Sequence, residues 1–262
     1  MKALTIAQFI ESLAPLSTAK PGDVNGFLIG NPDREVETVV VCWSPTLSII
    51  QECVEQGVDM IITHEVPLFY DKPISWFQSR STECKQANLA RLRYLVEGDI
   101  CVYRAHTNWD VVPKYGNVDA FGTAMGWTQE IARGYLTRVY QVAPISVRQV
   151  AEEVQHKLGI PRVRVVGDVE RRITRLGTAI GGVGQHYVAP EELVYLGAQA
   201  VVFGEAIEYT LYHALELDLP LIETGHMITE LPGMRALAQL LQERFEESRV
   251  VFLANQDPWQ LL

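Results

Sequence analysis

Three short stretches of this 262-residue chain set an imidazole beside a carboxylate where an apolar run ends. The first is Ile61-Ile62-Thr63-His64-Glu65. The second is Tyr103-Arg104-Ala105-His106-Thr107-Asn108-Trp109-Asp110. The third is Ile222-Glu223-Thr224-Gly225-His226-Met227-Ile228-Thr229-Glu230. In the last two the acid follows the histidine by four positions, starting where a strand is expected to stop. Imidazole and carboxylate together are the ligands that Zn, Mn, Fe and Co take. Three of each exceed one ordinary site and suit two divalent ions about 3.5–4 Å apart, bridged by a carboxylate and a hydroxide. A single such pair carries little, because a histidine after a strand is ordinarily a satisfied polar residue at the sheet rim. It is the recurrence at three strand ends that points to a metal centre, since ligands of open parallel sheets collect outside the carboxyl ends of the strands.

Other candidates carry less. His156 lies on an expected helix and reads as solvent-facing, while His213 reads as structural or as support for a site. Gly181-Gly182-Val183-Gly184 is a tight turn or a row of backbone amides facing an anion. His186 follows that loop and is either an exposed loop residue or a crevice residue. Glu205, after Gly204, either reaches the same crevice or sits at a helix start favoured by the dipole. There is no Gly-x-Ser-x-Gly elbow, no Gly-x-Gly-x-x-Gly and no P-loop, which argues against serine-hydrolase, dinucleotide and NTPase chemistry.

The elements that must position these pairs read as alternating strands and helices. Thr5 and Gln8 form a capping-box pattern, with Ile6, Phe9, Ile10 and Leu13 on one helical face before Pro15. Phe27-Leu28-Ile29 is a short strand in a turn-rich stretch. Strands are expected at 38–43, 58–63 and 99–105, with helices at 46–56, 81–97 and 117–126. That order implies a parallel sheet covered by helices on both faces. The middle changes regime. A strand at 136–142 precedes a second capping box, Ser146 with Gln149, opening a helix to Leu158. Strands at 162–166 and 173–180 are expected to pair as an antiparallel edge. Alternation then resumes, with helices at 190–196, 206–217 and 232–246 and strands at 200–203, 219–223 and 249–253. The expected architecture is α/β: two facing lobes with mostly parallel sheets and the metal site in the cleft between them. The first lobe is placed at residues 1–130, with the C-terminal third available to complete it, and the second at 131–262.

Composition narrows the partners. There are 22 basic against 32 acidic residues, a net charge of −10, and no polybasic patch beyond Arg171-Arg172. Nucleic acid and anionic membranes are therefore poor partners, whereas a phosphorylated substrate stays open if a metal handles its charge. No apolar run approaches the ~18–20 residues of a membrane helix, and the start lacks signal-peptide features. Cys42, Cys53, Cys84 and Cys101 form no Cys-x-x-Cys. They read as free thiols of a cytoplasmic protein.

At these motifs the chain resembles the Nif-three-like, or YbgI-like, family of dinuclear-metal proteins, often labelled GTP cyclohydrolase type 2 homologues. The resemblance covers most of the chain. It rests on Asn25-Gly26-Phe27-Leu28-Ile29-Gly30, Ile62-Thr63-His64-Glu65, Ala105-His106-Thr107-Asn108-Trp109-Asp110 and Gly225-His226-Met227-Ile228-Thr229-Glu230. It implies two divalent ions per subunit (Mn, Fe or Zn) and a homohexameric toroid. It also implies His64, Asp110, His226 and Glu230 as ligands, with Asp110 and Glu230 bridging. His106 would sit beside the metals as a further ligand or as a catalytic proton-transferring group. One departure is plain: the family motif has two adjacent histidines and then Pro, whereas here the second position is Glu65, and Val66 intervenes before Pro67. Either Glu65 ligates, tilting preference towards Mn or Fe, or it turns away and one metal position weakens.

Two functions follow. The first is a metal-dependent hydrolase of cyclohydrolase or phosphoesterase type, in which a metal-bridging water attacks a small-molecule substrate. The other is a non-catalytic metal-binding or protein-interaction assembly.

Overall fold

The elements of the computed structural model, which describes residues 1–69 and 85–259, begin with α1 (Ala3–Leu13), β1 (Gly26–Ile29), β2 (Thr38–Cys42) and α2 (Leu47–Glu55). They continue with β3 (Met60–Thr63), α3 (Lys85–Glu97), β4 (Cys101–Arg104), α4 (Thr107–Asp110) and α5 (Asn117–Ala124). Next come β5 (Glu130–Arg133), β6 (Thr137–Ser146), α6 (Val147–Leu158), β7 (Arg164–Val166) and β8 (Arg172–Ala179). The chain finishes with α7 (Val188–Tyr195), β9 (Ala200–Phe203), α8 (Glu208–Glu216), β10 (Leu221–Glu223), α9 (His226–Arg244) and β11 (Arg249–Leu253). The expected start of α3 at 81–84, and Cys84, lie outside the described residues.

Two compact units form, Met1–Trp109 with Leu237–Leu262, and Asp110–Ala236. The divisions fall within α4 and α9 rather than at 130/131. The last strand, β11, pairs in parallel with β2 and so returns the C-terminal segment to the first unit.

The first unit's sheet has the order β1-β4-β3-β2-β11. β11, β2, β3 and β4 run parallel, and β1 closes the edge antiparallel to β4. Ile49, Ile50 and Cys53 of α2 and Leu95 of α3 pack against Val40, Ile61 and Val102. Tyr103, alternating with Val102, points to the opposite face and donates from its hydroxyl to Glu11 of α1 at 3.0 Å. The Thr5–Gln8 pattern does not cap α1. That helix starts at Ala3, after Lys2, with no side-chain cap, and buries Ile6 and Ile10.

The second unit's sheet runs β5-β6-β8-β9-β10-β7. β8, β9 and β10 are parallel, while β5, β6 and β7 are antiparallel to their neighbours. Helices α5 and α6 bury Phe121, Val150 and Val154 on the face that carries Leu176, Val202 and Ile222. Helices α7 and α8 bury Leu193 and Ala214 on the face that carries Val201, Phe203 and Leu221. Two sequence expectations are corrected here. β7 and β8 do not pair with each other: β7 joins β10, and β8 sits between β6 and β9. The last long helix begins at His226, with Pro232 inside it, so the third motif lies on its first turns.

The Ser146–Gln149 capping box opens α6 as expected, with both reciprocal bonds present. Cys42, Cys53 and Cys101 are buried free thiols, and burial pushes the Cys53 thiol up to about 12. No helix among the described residues is long and apolar enough to cross a membrane.

Candidate metal centre

In the first unit, β3 and β4 are adjacent and parallel, with Thr63 opposite Arg104, so the chain leaves both at the same edge of the sheet. His64 follows β3 directly and is fully buried. Its backbone N–H and that of Glu65 donate to the Trp43 carbonyl at 3.1 and 2.8 Å, and Arg104 Nε donates to the His64 carbonyl at 2.9 Å. The His64 ring is fixed as well. Nδ1 donates to the Ala105 carbonyl at 3.0 Å, which places the lone pair on Nε2.

His106 stands just beyond β4, its ring centroid 4.7 Å from that of His64. Its backbone N–H donates to Asn25 Oδ1 at 2.8 Å. Its Nδ1 faces both carboxylate oxygens of Asp23, at 2.9 and 2.8 Å. Asp23 further accepts from Arg104 Nη1 at 2.9 Å, the Thr107 backbone at 3.1 Å and the Thr107 hydroxyl. Burial alone would raise the Asp23 carboxyl, but the bonds from His106 and Thr107 outweigh it and hold the group well below the usual carboxylate range. His106 Nε2 lies 4.0 Å from Glu65 Oε1. One donor atom each from His64, Glu65 and His106 fall within 4.8 Å of one another, a set able to hold a metal ion.

In the second unit the carboxyl ends of β8, β9 and β10 deliver Gly181, Glu205 and His226 to one edge. His226 Nδ1 meets Glu205 Oε2 at 3.1 Å, and its Nε2 lies 3.3 Å from Glu230 Oε2, one turn on along α9. Hydrogen bonding from His226 lowers the Glu205 carboxyl against partial burial, with Gln185 assisting from 2.9 Å. Glu230 is buried, and its carboxylate occupies space that only a glycine at 181 leaves open. A Cβ there would stand 1.9 Å from Glu230 Oε1, and Gly181 has φ of +60°. The Gly181 N–H donates to Thr229 Oγ1 at 3.0 Å, tying the loop after β8 to α9. Asp110 is buried and accepts from Asn117 Nδ2 at 2.8 Å. Asn117 in turn packs on Gly233 of α9, where a Cβ would come within 2.2 Å of its Oδ1.

The histidines set aside behave differently. His213 joins α7 to α8, with Nδ1 donating to the Tyr187 carbonyl at 2.7 Å and Nε2 3.1 Å from Glu191. His156 and His186 are exposed. Sequence reasoning missed Asp23 and Asn117. Asp23 stands 83 positions from His106 in the chain, and its one local signal was its place in the Asp/Asn/Gly-rich stretch before β1.

The donor chemistry fits divalent cations. His64 and His106 each commit Nδ1 to an oxygen, and buried carboxylates stand in the second unit, a pattern characteristic of metal-ligating histidines. Residues 1–258 match the model of the Duf34/NIF3 (NGG1p interacting factor 3) family. A Clostridium perfringens protein named GTP cyclohydrolase 1 type 2 homolog is 26% identical, covering 100% of each chain. A protein of the same name from Methanocaldococcus jannaschii is 29% identical over 94% of this chain and 97% of its own. Among solved structures, reduced HcgD from M. jannaschii is 26% identical, covers 97% of this chain and 98% of its own, and superposes with a TM-score of 0.79. A Bacillus cereus protein related to NIF3 shares the fold at a TM-score of 0.84 and 18% identity, over 100% and 99% of the two chains.

Proposed function

The chain belongs to the Duf34/NIF3 family, and on that premise we propose that it is a metal-dependent hydrolase of a small molecule. Two divalent ions (Mn, Fe or Zn) are held by His64, Glu65, Asp110, His226 and Glu230. The observation that carries this reading is that each motif histidine is fixed through Nδ1 by an oxygen: His64 by the Ala105 carbonyl, His106 by Asp23 and His226 by Glu205. Such outer oxygens set the tautomer and orientation of metal-ligating imidazoles.

Bound divalent ions supply Lewis acidity and bring the pKa of coordinated water towards neutrality. This chain's own residues supply the rest. Asp23 keeps the His106 proton on Nδ1, so that Nε2 accepts a proton from the reacting centre and later returns it. Arg104, 4% exposed, donates from Nη1 to Asp23 at 2.9 Å and balances its charge. Glu205 sets the His226 ring, and Asn117 sets Asp110. The substrates to try are phosphoesters, nucleotides and cyclic amides, the last because the curated relatives carry the name GTP cyclohydrolase 1 type 2 homolog. The working assembly is a homohexamer; light scattering near 29.4 kDa, the mass of one chain, would oppose that part of the proposal.

The test is a substrate screen of protein loaded with Mn, Fe or Zn. We expect turnover that requires metal and is lost in His226→Ala. No rate above that of metal-free protein, across all three classes, would refute hydrolysis.

A further inference from the structure

We propose that the outward face of α7 and α8 is a docking surface for a cationic segment of another protein, one that lays arginine or lysine side chains over tyrosine rings. The inference goes beyond the hydrolase reading and does not rest on it.

Both helices hold to the second sheet by their inner faces. Ala189, Pro190 and Leu193 of α7 and Thr210 and Ala214 of α8 are buried. Outside that core stand large side chains it does not use. Val188, Tyr195, Tyr209 and Tyr212 are 65–90% exposed, and Tyr187 and Leu215 about half exposed. On α8, Tyr209, Tyr212 and Glu216 are spaced by three and four, so they share one face. The surface runs from one helix to the other. The Tyr187 and Tyr209 ring centroids are 5.6 Å apart with the planes inclined at 56°. His213 fastens the same junction, 2.7 Å from the Tyr187 carbonyl and 3.1 Å from Glu191. Single exposed apolar residues are ordinary, whereas a group of them on two adjoining helices marks a contact surface. Tyrosine is enriched at such surfaces.

Charge selects the occupant. Between Arg175 and Arg235 the chain has no Lys or Arg, against eight acids. Glu208 and Glu216 are exposed on α8 beside the tyrosines, and Glu191 on α7. The arginines of the neighbouring strands are engaged: Arg164 with Glu223, Arg171 with Asp218, and Arg175 with the Gly197 carbonyl. A tyrosine ring attracts a cation over its face, and acids at the rim steer one there. A second copy is the wrong chemistry. A two-fold contact would set the same face against itself, bringing glutamates together with no Lys or Arg between them. A head-to-tail contact would need a basic patch, and the one pair of adjacent cations in the sequence is Arg171-Arg172.

The experiment uses the full chain and a fluorescein-labelled peptide of alternating Arg and Leu, with a Glu/Leu peptide as its counterpart, followed by fluorescence anisotropy. We expect saturable binding of the Arg peptide alone, weakening as salt screens the acids. Tyr209→Ser with Tyr212→Ser leaves the charge unchanged and should weaken binding about tenfold or more, as loss of central aromatic contacts does. Glu208→Gln with Glu216→Gln should weaken binding and flatten its salt dependence. Glu246→Gln with Glu247→Gln removes the same charge from the first unit and should leave binding as in wild type. Circular dichroism verifies the fold of each variant, and light scattering should give the tyrosine variant the mass of wild type. No saturable binding of the Arg peptide, or equal binding of the Glu peptide, would overturn the proposal. So would wild-type affinity in the tyrosine variant, which would mean diffuse attraction to an acidic chain. A fall in mass on losing the tyrosines would make the face a contact between copies and overturn it too. Metal content is unchanged in every variant, so these failures leave the hydrolase reading standing.

Discussion

Asp23→Asn keeps the shape of the side chain and removes its charge. The carboxylate accepts from His106 Nδ1 at 2.8 Å, Arg104 Nη1 at 2.9 Å, Asn25 Nδ2 at 3.0 Å and the Thr107 backbone at 3.1 Å. An asparagine retains one acceptor oxygen and turns an NH2 group towards surrounding donors. Hydrogen bonds to charged groups contribute about 1.5–3 kcal/mol each. Arg104, 4% exposed, would also lose its counter-charge, and breaking a buried pair costs about 3–5 kcal/mol. Arg104 keeps its bonds to the His64 and Val24 carbonyls, which places the expected loss at the low end, about 3 kcal/mol at neutral pH. The pH dependence has a definite sign. The folded carboxyl titrates below its unfolded value of about 3.9. Its stabilisation is therefore complete above that pH and is lost as the pH falls towards the folded pKa. Urea unfolding of wild type and variant, followed by tryptophan fluorescence at neutral pH and again below about pH 4, measures the difference. A gap under about 0.5 kcal/mol at neutral pH, within the range of ordinary surface substitutions, would refute the reasoning. So would a gap that widens in acid.

Gly181→Ala should destabilise by about 1–2 kcal/mol through its left-handed backbone alone. The new methyl must also displace the Glu230 carboxylate, so elemental analysis after dialysis should show metal lost; full retention would contradict the packing argument. Ser146→Ala breaks the capping box of α6 and should cost about 1 kcal/mol in urea unfolding, whereas Ser146→Asp should stay near wild type. Asp59 accepts from the backbones of Glu37 and Thr38 at 2.9 and 3.0 Å and from Arg34 at 2.8 Å; burial opposes its ionisation, but these bonds prevail and lower its pKa. Asp59→Asn should thus destabilise by about 1–3 kcal/mol at neutral pH, and thermal unfolding should show the difference fading below about pH 4.

The site was legible in the sequence where its chemistry is local. His106 with Asp110, and His226 with Glu230, are four apart and follow apolar runs, so both helical spacing and strand ends were visible. Asp23 was not, because only the antiparallel pairing of β1 with β4 brings the Gly/Asp/Asn-rich stretch beside His106. The parallel core strands announced themselves as β-branched apolar runs. β5 did not, since Glu130–Arg133 alternates polar and apolar at a half-exposed edge. The start of α9 was misplaced because Pro232 reads as a first helical residue. The chain in fact begins to wind at His226 and tolerates the proline inside the helix. The partner of β7 depended on sheet order, which periodicity does not encode.

The central claim is that this chain holds two divalent ions through the three His–acid motifs. The direct measurement is metal per chain in protein purified without chelator or nickel, compared with Asp110→Asn, His226→Ala, Glu65→Gln and Glu65→His. The account predicts two ions in wild type. Asp110→Asn and His226→Ala should lose at least one, and Glu65→Gln should bind at least tenfold more weakly, about 1.4 kcal/mol. Glu65→His should keep both ions with preference shifted towards Zn. Wild type that stays metal-free after exposure to Mn, Fe and Zn would contradict it.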